Sequence, residues 1–294
     1  MTSDLRPDLG LARGDWWATP RIRLVLRFAM LVGIALGIET VVLHLMTDPL
    51  ADVHAYYDAA ARLNAGQPLY VQPAGIDDAA FYRYPPLLAI LFRPLALLPF
   101  GLAAAIWMTL IALMFVATLV RLDLRRPLTL FVVCALALPI GWSIVIGQAQ
   151  VAVTLLLALG NPWAVALAAN LKVFPILVAI WWLGRRDWRP LGWLAVWVAA
   201  LIGVQLVLAP SDTLAYLSFL RLDQVGSVIS LSPYSISPLL WAAMVVGLVV
   251  LAIWAAPRRY GWAVAVTLSV LASPRLLLYQ LSSLVAGVRD PDDR

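Results

Sequence analysis

Residues 101–120 read GLAAAIWMTLIALMFVATLV, twenty consecutive residues without a charged side chain. About 20 apolar residues in a helix span the hydrocarbon core of a bilayer. The whole chain has the same character, because 63% of its 294 residues are hydrophobic and only 13% are charged, whereas soluble domains are about 25% charged. The sequence therefore excludes a soluble enzyme, a secreted disulfide scaffold and a disordered chain. It predicts an all-α, polytopic transmembrane protein that lies in the lipid bilayer.

Further apolar segments on both sides of this stretch predict about eight to ten membrane segments. The long ones cover 24–46, 101–120, 128–146, 163–183, 191–209 and 238–256, and the shorter ones cover 86–98, 149–160, 261–272 and 276–288. If all ten cross, the arginines of 121–126 lie outside the cell. If 86–98 and 149–160 dip in and return, eight cross and every arginine cluster lies inside. Prolines at the segment ends predict bent and broken helices around a cavity.

The arginine clusters predict the orientation of the chain. Cytoplasmic loops are enriched in Lys and Arg, so we expect residues 1–23 in the cytoplasm and the first apolar segment to be a retained anchor. The loops 47–84 and 210–237 then face the outside of the plasma membrane. Because the net charge of +5 resides in these short clusters, we expect no nucleic-acid partner. Residues 1–294 are expected to form a single integral membrane domain.

Few residues of the chain are suited to binding a metal. The chain has one cysteine, Cys134, and two histidines, His44 and His54. This composition excludes a disulfide framework and a site built from several cysteines or histidines. We therefore expect no metal site and no cofactor.

The loop 47–84 contains a predicted amphipathic helix, DVHAYYDAAARLNA at 52–65, which ends at Gly66. We expect this helix to lie on the outer membrane surface. Asp52 at its start has two compatible interpretations. It is a preferred helix N-cap, and it is also a carboxylate at the mouth of a membrane cavity, able to act as a general base. His54 and Asp58 are nearby candidates, although Asp58 falls on another face of the helix.

Ionisable residues inside apolar segments are costly in lipid and point to function. Three are clear in the sequence: Glu39, Arg93 and Lys172. Arg93 is expected to reach an interface, whereas Lys172, near the middle of its segment, is expected to face a cavity, an acid or a phosphate. Outside these segments, Arg83 fits either an interface anchor or a phosphate ligand. Gln148 fits either a helix–helix hydrogen bond or, with eight crossings, a place near the outer loop.

Several motifs follow one another in a fixed order along the chain. They are Asp52, Tyr56-Tyr57, Ala59-Ala60, Gly66, Tyr70, Tyr84-Pro85-Pro86-Leu87, Gly147-Gln148, Lys172, Arg185-Arg186-Asp187-Trp188 and Ser273-Pro274. This pattern, over residues 48–280, resembles the polytopic glycosyltransferases of family 87. That family belongs to the GT-C fold, which includes bacterial polyprenyl-phosphate-mannose-dependent mannosyltransferases. The stretch RYPPLLA at 83–89 is also similar to catalytic subunits of GPI mannosyltransferases.

The resemblance implies an inverting hexosyltransferase with a GT-C-like fold. Its donor would be a polyprenyl phosphate sugar, in the first place mannose, and its acceptor an extracytoplasmic glycan or glycolipid. The carboxylate of the first outer loop serves as general base in such enzymes, and the matching position here is Asp52. The expected substrate-binding residues are Arg83, Tyr84, Lys172, His54, Tyr57 and Gln148. Many members carry an acidic pair in this loop, whereas His54 stands at the second position here.

Two alternatives come from other functional classes. A transporter or lipid flippase would use Glu39, Arg93 and Lys172 as sites near mid-membrane and predicts an internal repeat. The sequence contains no repeat of fixed period. A catalytically inactive relative that acts as an assembly partner is the second alternative, because the chain is short for the family.

Overall fold

The structure, a computed structural model, describes residues 19–71, 81–219 and 230–289. Within these ranges every regular element is helical, which confirms the predicted all-α class. The α-helices are α1 (Pro20–Thr47), α2 (Ala51–Asn64), α3 (Pro86–Phe92), α4 (Phe100–Arg121), α5 (Pro127–Ala135), α6 (Ala137–Val145), α7 (Gln150–Leu159), α8 (Pro162–Leu171), α9 (Ala179–Gly184), α10 (Trp188–Leu208), α11 (Pro210–Phe219), α12 (Pro238–Ala255) and α13 (Gly261–Leu271). Four 3-10 helices accompany them, at Leu95–Leu97, Phe174–Val178, Pro233–Ser235 and Leu278–Val288.

Four of the described helices, α1, α4, α10 and α12, are long and apolar enough to cross a membrane. Only 11% of the most apolar window is buried inside the protein in α1, α10 and α12, and 28% in α4. Apolar surface of this extent requires lipid rather than water around it. The consecutive helices α5 and α6 add a fifth crossing if they are one span. The prediction of a polytopic helical membrane protein is confirmed.

The long segments predicted over 128–146 and 163–183 are broken, each at a position that a proline explains. A proline removes one helical hydrogen bond and its ring clashes with the carbonyl four residues earlier. Pro139 stands four residues after Ala135, where α5 ends, and α6 continues at an angle of 63°. Pro175 stands four residues after Leu171, where α8 ends. The expectation of bent and broken helices is therefore met in these two segments.

Helix α1 packs on α5 and α6 through two glycines. Gly33 and Gly37 are the buried residues of α1. A Cβ atom on Gly33 would overlap the carbonyl oxygen of Cys134, and one on Gly37 would lie 2.9 Å from Ala137. Small residues at such positions let two helix backbones approach closely within a membrane.

We expect Gly33→Ala to loosen this contact. The added methyl group has no space at the α1–α5 contact, and overpacking costs about 1–3 kcal/mol. The midpoint temperature for loss of monodisperse protein in detergent should therefore fall. Gly203→Ala on α10 is the matched control, because open space surrounds its Cβ position. Equal midpoints for the two variants would contradict this packing.

The amphipathic helix predicted in the first loop is α2, and its ends lie within one residue of the predicted ones. Gly66 adopts a φ of +68° just after the helix. The N–H of Gln67 then donates to the carbonyl of Arg62 at 2.9 Å, as in the usual glycine-terminated helix end. The apolar face of α2 does not rest on lipid, because protein covers it. Its residues exposed by 1% or less are Val53, Ala55, Tyr56, Ala59 and Ala60.

Parts of the predicted loops fall outside the described residues. These parts are 72–80 of the loop 47–84, 220–229 of the loop 210–237, and 1–18 of the N-terminal segment.

Candidate active site

Asp52 lies in the first turn of α2, and two tyrosine hydroxyls approach the same carboxylate oxygen. The hydroxyl of Tyr84 donates to Oδ1 at 3.2 Å, and that of Tyr56 lies 3.4 Å from Oδ1. The N-cap of α2 is Leu50, and it makes no side-chain capping bond. The interpretation of Asp52 as the N-cap is therefore wrong. Its half-buried carboxylate instead accepts hydrogen bonds from side chains.

The turn that follows α6 fixes the start of α2. The N–H of Asp52 donates to the carbonyl of Ile146 at 3.1 Å, and the N–H of Leu50 donates to that of Val145 at 3.3 Å. The next residue, Gly147, has a φ of +74°, and a Cβ there would overlap the side chain of Val53. Glycine is therefore required for this close approach, which brings the following residue beside Asp52.

That residue is Gln148, which is fully buried. Its Oε1 accepts from the hydroxyl of Tyr56 at 2.7 Å, and its Nε2 donates to the hydroxyl oxygen of Tyr84 at 2.9 Å. The structure thus brings Gln148 to the site, where its amide bonds both tyrosines and also helps to lower the pKa of Asp52.

Lys172 reaches the same site from the end of α8. Because the helix ends at Leu171, Lys172 has extended backbone (φ −146°, ψ 128°). Its Nζ lies 5.2 Å from the ring centre of Tyr84 and 4.8 Å from that of Tyr279, positions typical of cation–π contacts. The Nζ also donates to Oε1 of Gln150 at 2.6 Å. Asp52 and Lys172 therefore contact the same tyrosine, Asp52 at the hydroxyl and Lys172 at the ring.

The surroundings of Asp52 change its acidity. Burial raises the pKa of the Asp52 carboxyl from 3.8 to about 6, although the charge of Lys172 and the hydroxyl of Tyr84 oppose that rise. The helix α2 is not one of the candidate spans, so this carboxyl lies outside the spanning helices. A carboxylate with this pKa is mostly ionised at neutral pH and is a better base than a fully exposed aspartate.

A small cavity opens next to Lys172. Its polar lining comes from Gln150, Lys172, Ser269, Ser273, Gln280 and Ser283. Its apolar lining comes from Val153, Leu157, Phe174, Pro175 and Val270. The lining of this cavity therefore combines hydrogen-bonding side chains with apolar ones.

Three of the predicted substrate-binding residues have their described contacts elsewhere. His54 is exposed and stacks on Phe100 with ring centres 3.8 Å apart. Tyr57 donates its hydroxyl proton to the carbonyl of Leu98 at 2.7 Å. The guanidinium of Arg83 lies 4.6 Å from the ring centre of Phe81. Of the predicted substrate-binding residues, those that the structure places around Asp52 are therefore Tyr84, Gln148 and Lys172.

The other two ionisable residues singled out from the apolar segments lie away from Asp52. Arg93 donates from Nε to Oδ1 of Asn64 at 2.9 Å, and Asn64 donates back to the Arg93 carbonyl at 3.1 Å. This pair ties the end of α3 to the end of α2. Glu39 is exposed on α1.

The structure adds residues that the sequence did not single out for the site. Tyr56 stands four residues after Asp52 on α2, so helical spacing predicts their proximity. Tyr279 and Ser283 come from the 3-10 helix Leu278–Val288, and no local pattern links that segment to Asp52. Ser283 accepts from Nε2 of Gln150 at 2.6 Å and so helps to hold the partner of Lys172.

Within residues 19–71, 81–219 and 230–289, no group of three or more His, Cys, Asp or Glu side chains comes together. The part of the chain that the structure describes therefore assembles no ligand set of the kind that usually holds a metal.

The fold and this site define a multi-pass helical membrane protein in which a carboxylate, a lysine and two tyrosines come together. Residues 81–274, more than half of the chain, match the model of glycosyltransferase family 87. The chain belongs to that family. The matched range contains Tyr84, Gln148 and Lys172 but not Asp52, so the case for Asp52 depends on its geometry.

A similar protein is the polyprenol-phosphate-mannose-dependent alpha-(1-2)-phosphatidylinositol pentamannoside mannosyltransferase of Mycolicibacterium smegmatis. The two are 29% identical over 198 residues, which cover 60% of this chain and 48% of the relative. The chain thus spans about half the length of the curated relative it matches. No solved structure matches the chain.

Proposed function

We propose that the protein is an inverting membrane glycosyltransferase of the GT-C type. It moves a hexose, in the first place mannose, from a polyprenyl phosphate donor to a hydroxyl group of an extracytoplasmic glycan or glycolipid. Membership of family 87 supports sugar transfer. The similarity to a polyprenol-phosphate-mannose-dependent phosphatidylinositol pentamannoside mannosyltransferase supports a polyprenol-phosphate-mannose donor and a glycolipid acceptor.

The observation that carries this proposal is the arrangement of Asp52 and Lys172 around Tyr84. Glycosyl transfer from a lipid phosphate needs a base for the acceptor hydroxyl and a positive group for the departing phosphate. The carboxylate of Asp52 accepts the hydroxyl proton of Tyr84 at 3.2 Å, and Nζ of Lys172 lies 5.2 Å from the ring centre of the same residue. One tyrosine thus separates a basic group from a cationic group.

In the proposed reaction, the acceptor hydroxyl lies against Oδ2 of Asp52, because both described tyrosine contacts fall on Oδ1. The O–H bond breaks, and its proton goes to Asp52. The acceptor oxygen forms a bond to the anomeric carbon as the bond from that carbon to the phosphate oxygen breaks. The phosphate takes the electron pair, and the ammonium group of Lys172 stabilises its new charge. Attack from the face opposite the leaving group inverts the anomeric configuration.

The cavity beside Lys172 is the proposed site of the donor lipid. The phosphate would lie at its polar lining, where Lys172, Gln150 and Ser283 meet. The polyprenyl chain would follow the apolar lining formed by Val153 and Leu157. Arg83, His54 and Tyr57 stay predicted substrate contacts.

We also propose that residues 1–294 act as one integral domain in the plasma membrane. The arginine-rich 1–23 would lie in the cytoplasm, and the loops 47–84 and 210–237 would lie outside. The Lys and Arg bias of cytoplasmic loops supports this orientation.

Transfer by the purified protein in nanodiscs tests the proposal. Radiolabelled polyprenyl phosphate mannose and the matching glucose donor are supplied with a bacterial lipid extract, and labelled products are separated. Transfer from the mannose donor is expected. Donor binding without transfer would instead favour an inactive relative. Movement of the donor lipid between leaflets without transfer would favour a flippase.

We expect a pH dependence set by Asp52. The base must be ionised, and burial raises its pKa to about 6, so kcat/KM should rise from about pH 5 to about pH 7. We expect kcat/KM to reach half its maximum at about pH 6. An exposed aspartate would place that midpoint at about pH 4. Assays after return to neutral pH separate titration from denaturation. A midpoint near pH 4 would contradict a base whose pKa is raised by partial burial.

A further inference from the structure

The hydrogen bonds around Gln148 have a direction that the donors fix. The backbone N–H of Ala149 donates to the hydroxyl oxygen of Tyr56 at 3.1 Å. The hydroxyl of Tyr56 must therefore donate its own hydrogen bond to another acceptor. The acceptor at 2.7 Å is Oε1 of Gln148, and the alternative, Oδ1 of Asp52, lies at 3.4 Å. The shorter bond assigns the Tyr56 proton to Gln148.

The second half of the network continues in the same direction. Nε2 of Gln148 is a donor only, and it lies 2.9 Å from the hydroxyl oxygen of Tyr84. The Tyr84 proton has two acceptors within reach: Oε1 of Gln148 at 3.1 Å and Oδ1 of Asp52 at 3.2 Å. Oε1 already accepts from Tyr56, and a carboxylate is the stronger acceptor. The Tyr84 proton therefore goes to Asp52.

We propose that Gln148 is a positioning residue that directs a chain of hydrogen bonds from the Ala149 amide through Tyr56 and Tyr84 onto Oδ1 of Asp52. This inference rests on the proposed function, in which Asp52 is the base. The chain occupies Oδ1, fixes the rotamer of the carboxylate, and turns Oδ2 toward the acceptor hydroxyl. Gln148 itself is fully buried, so in this proposal it acts through the two tyrosines and the carboxylate rather than on the substrate.

A buried amide suits this role because it has no proton that titrates, so the direction of the chain is the same at every pH of the reaction. The titratable groups that face Asp52 are Tyr56 from α2, Tyr84 from the segment before α3, Lys172 from the end of α8, and Tyr279 from the last helix. The Tyr84 hydroxyl stabilises the ionised carboxylate. Its loss is therefore expected to make Asp52 a weaker acid.

The test compares Tyr84→Phe, Tyr56→Phe and Gln148→Leu by two measurements. The first is the acid midpoint of kcat/KM. The second is the pH at which Asp52 is half protected from dicyclohexylcarbodiimide, which reacts with the protonated acid and is read by mass spectrometry. We expect Tyr84→Phe to raise both midpoints by about one pH unit. Gln148→Leu should raise them in the same direction, and Tyr56→Phe by less.

Gln205→Leu is the matched control, because Gln205 is also a buried glutamine, 3% exposed. Its amide donates to Asn170 at 2.7 Å and accepts from the N–H of Leu87 at 3.1 Å, and neither of these partners belongs to the chain of hydrogen bonds on Asp52. This variant should leave both midpoints unchanged even if it unfolds more readily.

Three outcomes decide the inference. If Gln148→Leu has the same midpoints as the wild type, Gln148 contributes only to packing and the inference is wrong. A larger change of the midpoints in Tyr56→Phe than in Tyr84→Phe would mean that the hydrogen-bond chain does not run from Tyr56 through Tyr84 to Asp52, and the inference would again be wrong. This comparison does not depend on a folded Gln148 variant. The expected labelling changes in a protein that transfers no sugar would support the chain while rejecting the proposed function.

Discussion

Asp52→Asn is expected to reduce kcat by about 10²–10⁴-fold, the usual contribution of a general base. Asparagine has nearly the same shape and its oxygen still accepts the hydroxyl protons of Tyr84 and Tyr56, so the site should keep its geometry. Its amide cannot take a proton from the acceptor at neutral pH. The equilibrium constant for donor binding should therefore stay close to that of the wild type. Single-turnover transfer and binding of radiolabelled donor measure the two quantities separately.

Asp58→Asn is the matched control for this experiment. Asp58 lies six residues further along α2 and is exposed, so the same chemical change there leaves the site untouched. We expect wild-type kinetics from that variant. If Asp52→Asn transfers sugar at the wild-type rate, Asp52 is not the general base. The assignment to family 87 would not be affected.

Much of the fold follows from composition and local spacing. Long uncharged segments mark the candidate spans, and α1 and α4 extend only a few residues beyond the predicted 24–46 and 101–120. The breaks also have local causes, because Pro139 and Pro175 each end a helix four residues earlier. Applying that rule would have divided both segments before the structure was known.

The local sequence pattern does not show whether protein or lipid packs against the apolar face of a helix. The apolar residues of α2 fit a helix on the membrane surface as well as one packed against α3 and α4. Periodicity gives the direction of a face but not what lies against it. The same limit explains the N-cap interpretation of Asp52, since the backbone of Leu50, with a φ of +62°, begins the helix one residue earlier than expected.

The two charged residues of the candidate site, Asp52 and Lys172, could be predicted from the sequence. The contacts that bring the site together could not. A lone lysine in an apolar segment has few acceptable surroundings, so Lys172 stood out at once. Tyr56 follows from the spacing of four residues on one helix. Gln148 was expected near the outer loop only from the family resemblance and the eight-crossing arrangement, and Tyr279 was not expected there at all, because tertiary packing brings both to Asp52. Contacts between residues so far apart along the chain carry no signal in a single sequence.

Lys172→Gln is expected to raise KM for the donor and to lower kcat, with a combined loss of about 10–10²-fold, because a charge-assisted bond to phosphate is lost. Lys172→Arg keeps the positive charge and should recover part of that loss. The acid midpoint of kcat/KM should also rise, since the charge of Lys172 lowers the pKa of Asp52. Initial rates at varied donor concentration and pH measure all three effects.

Arg125→Gln, at an exposed position, removes one positive charge far from this chemistry and serves as the control. It should leave KM, kcat and the midpoint unchanged. Two of the three effects of Lys172→Gln report different interactions: KM reports the phosphate, and the acid midpoint reports Asp52. A change in the midpoint alone would keep Lys172 beside the base and move the phosphate to another cation. Wild-type values for both would contradict the placement of Lys172 in the site.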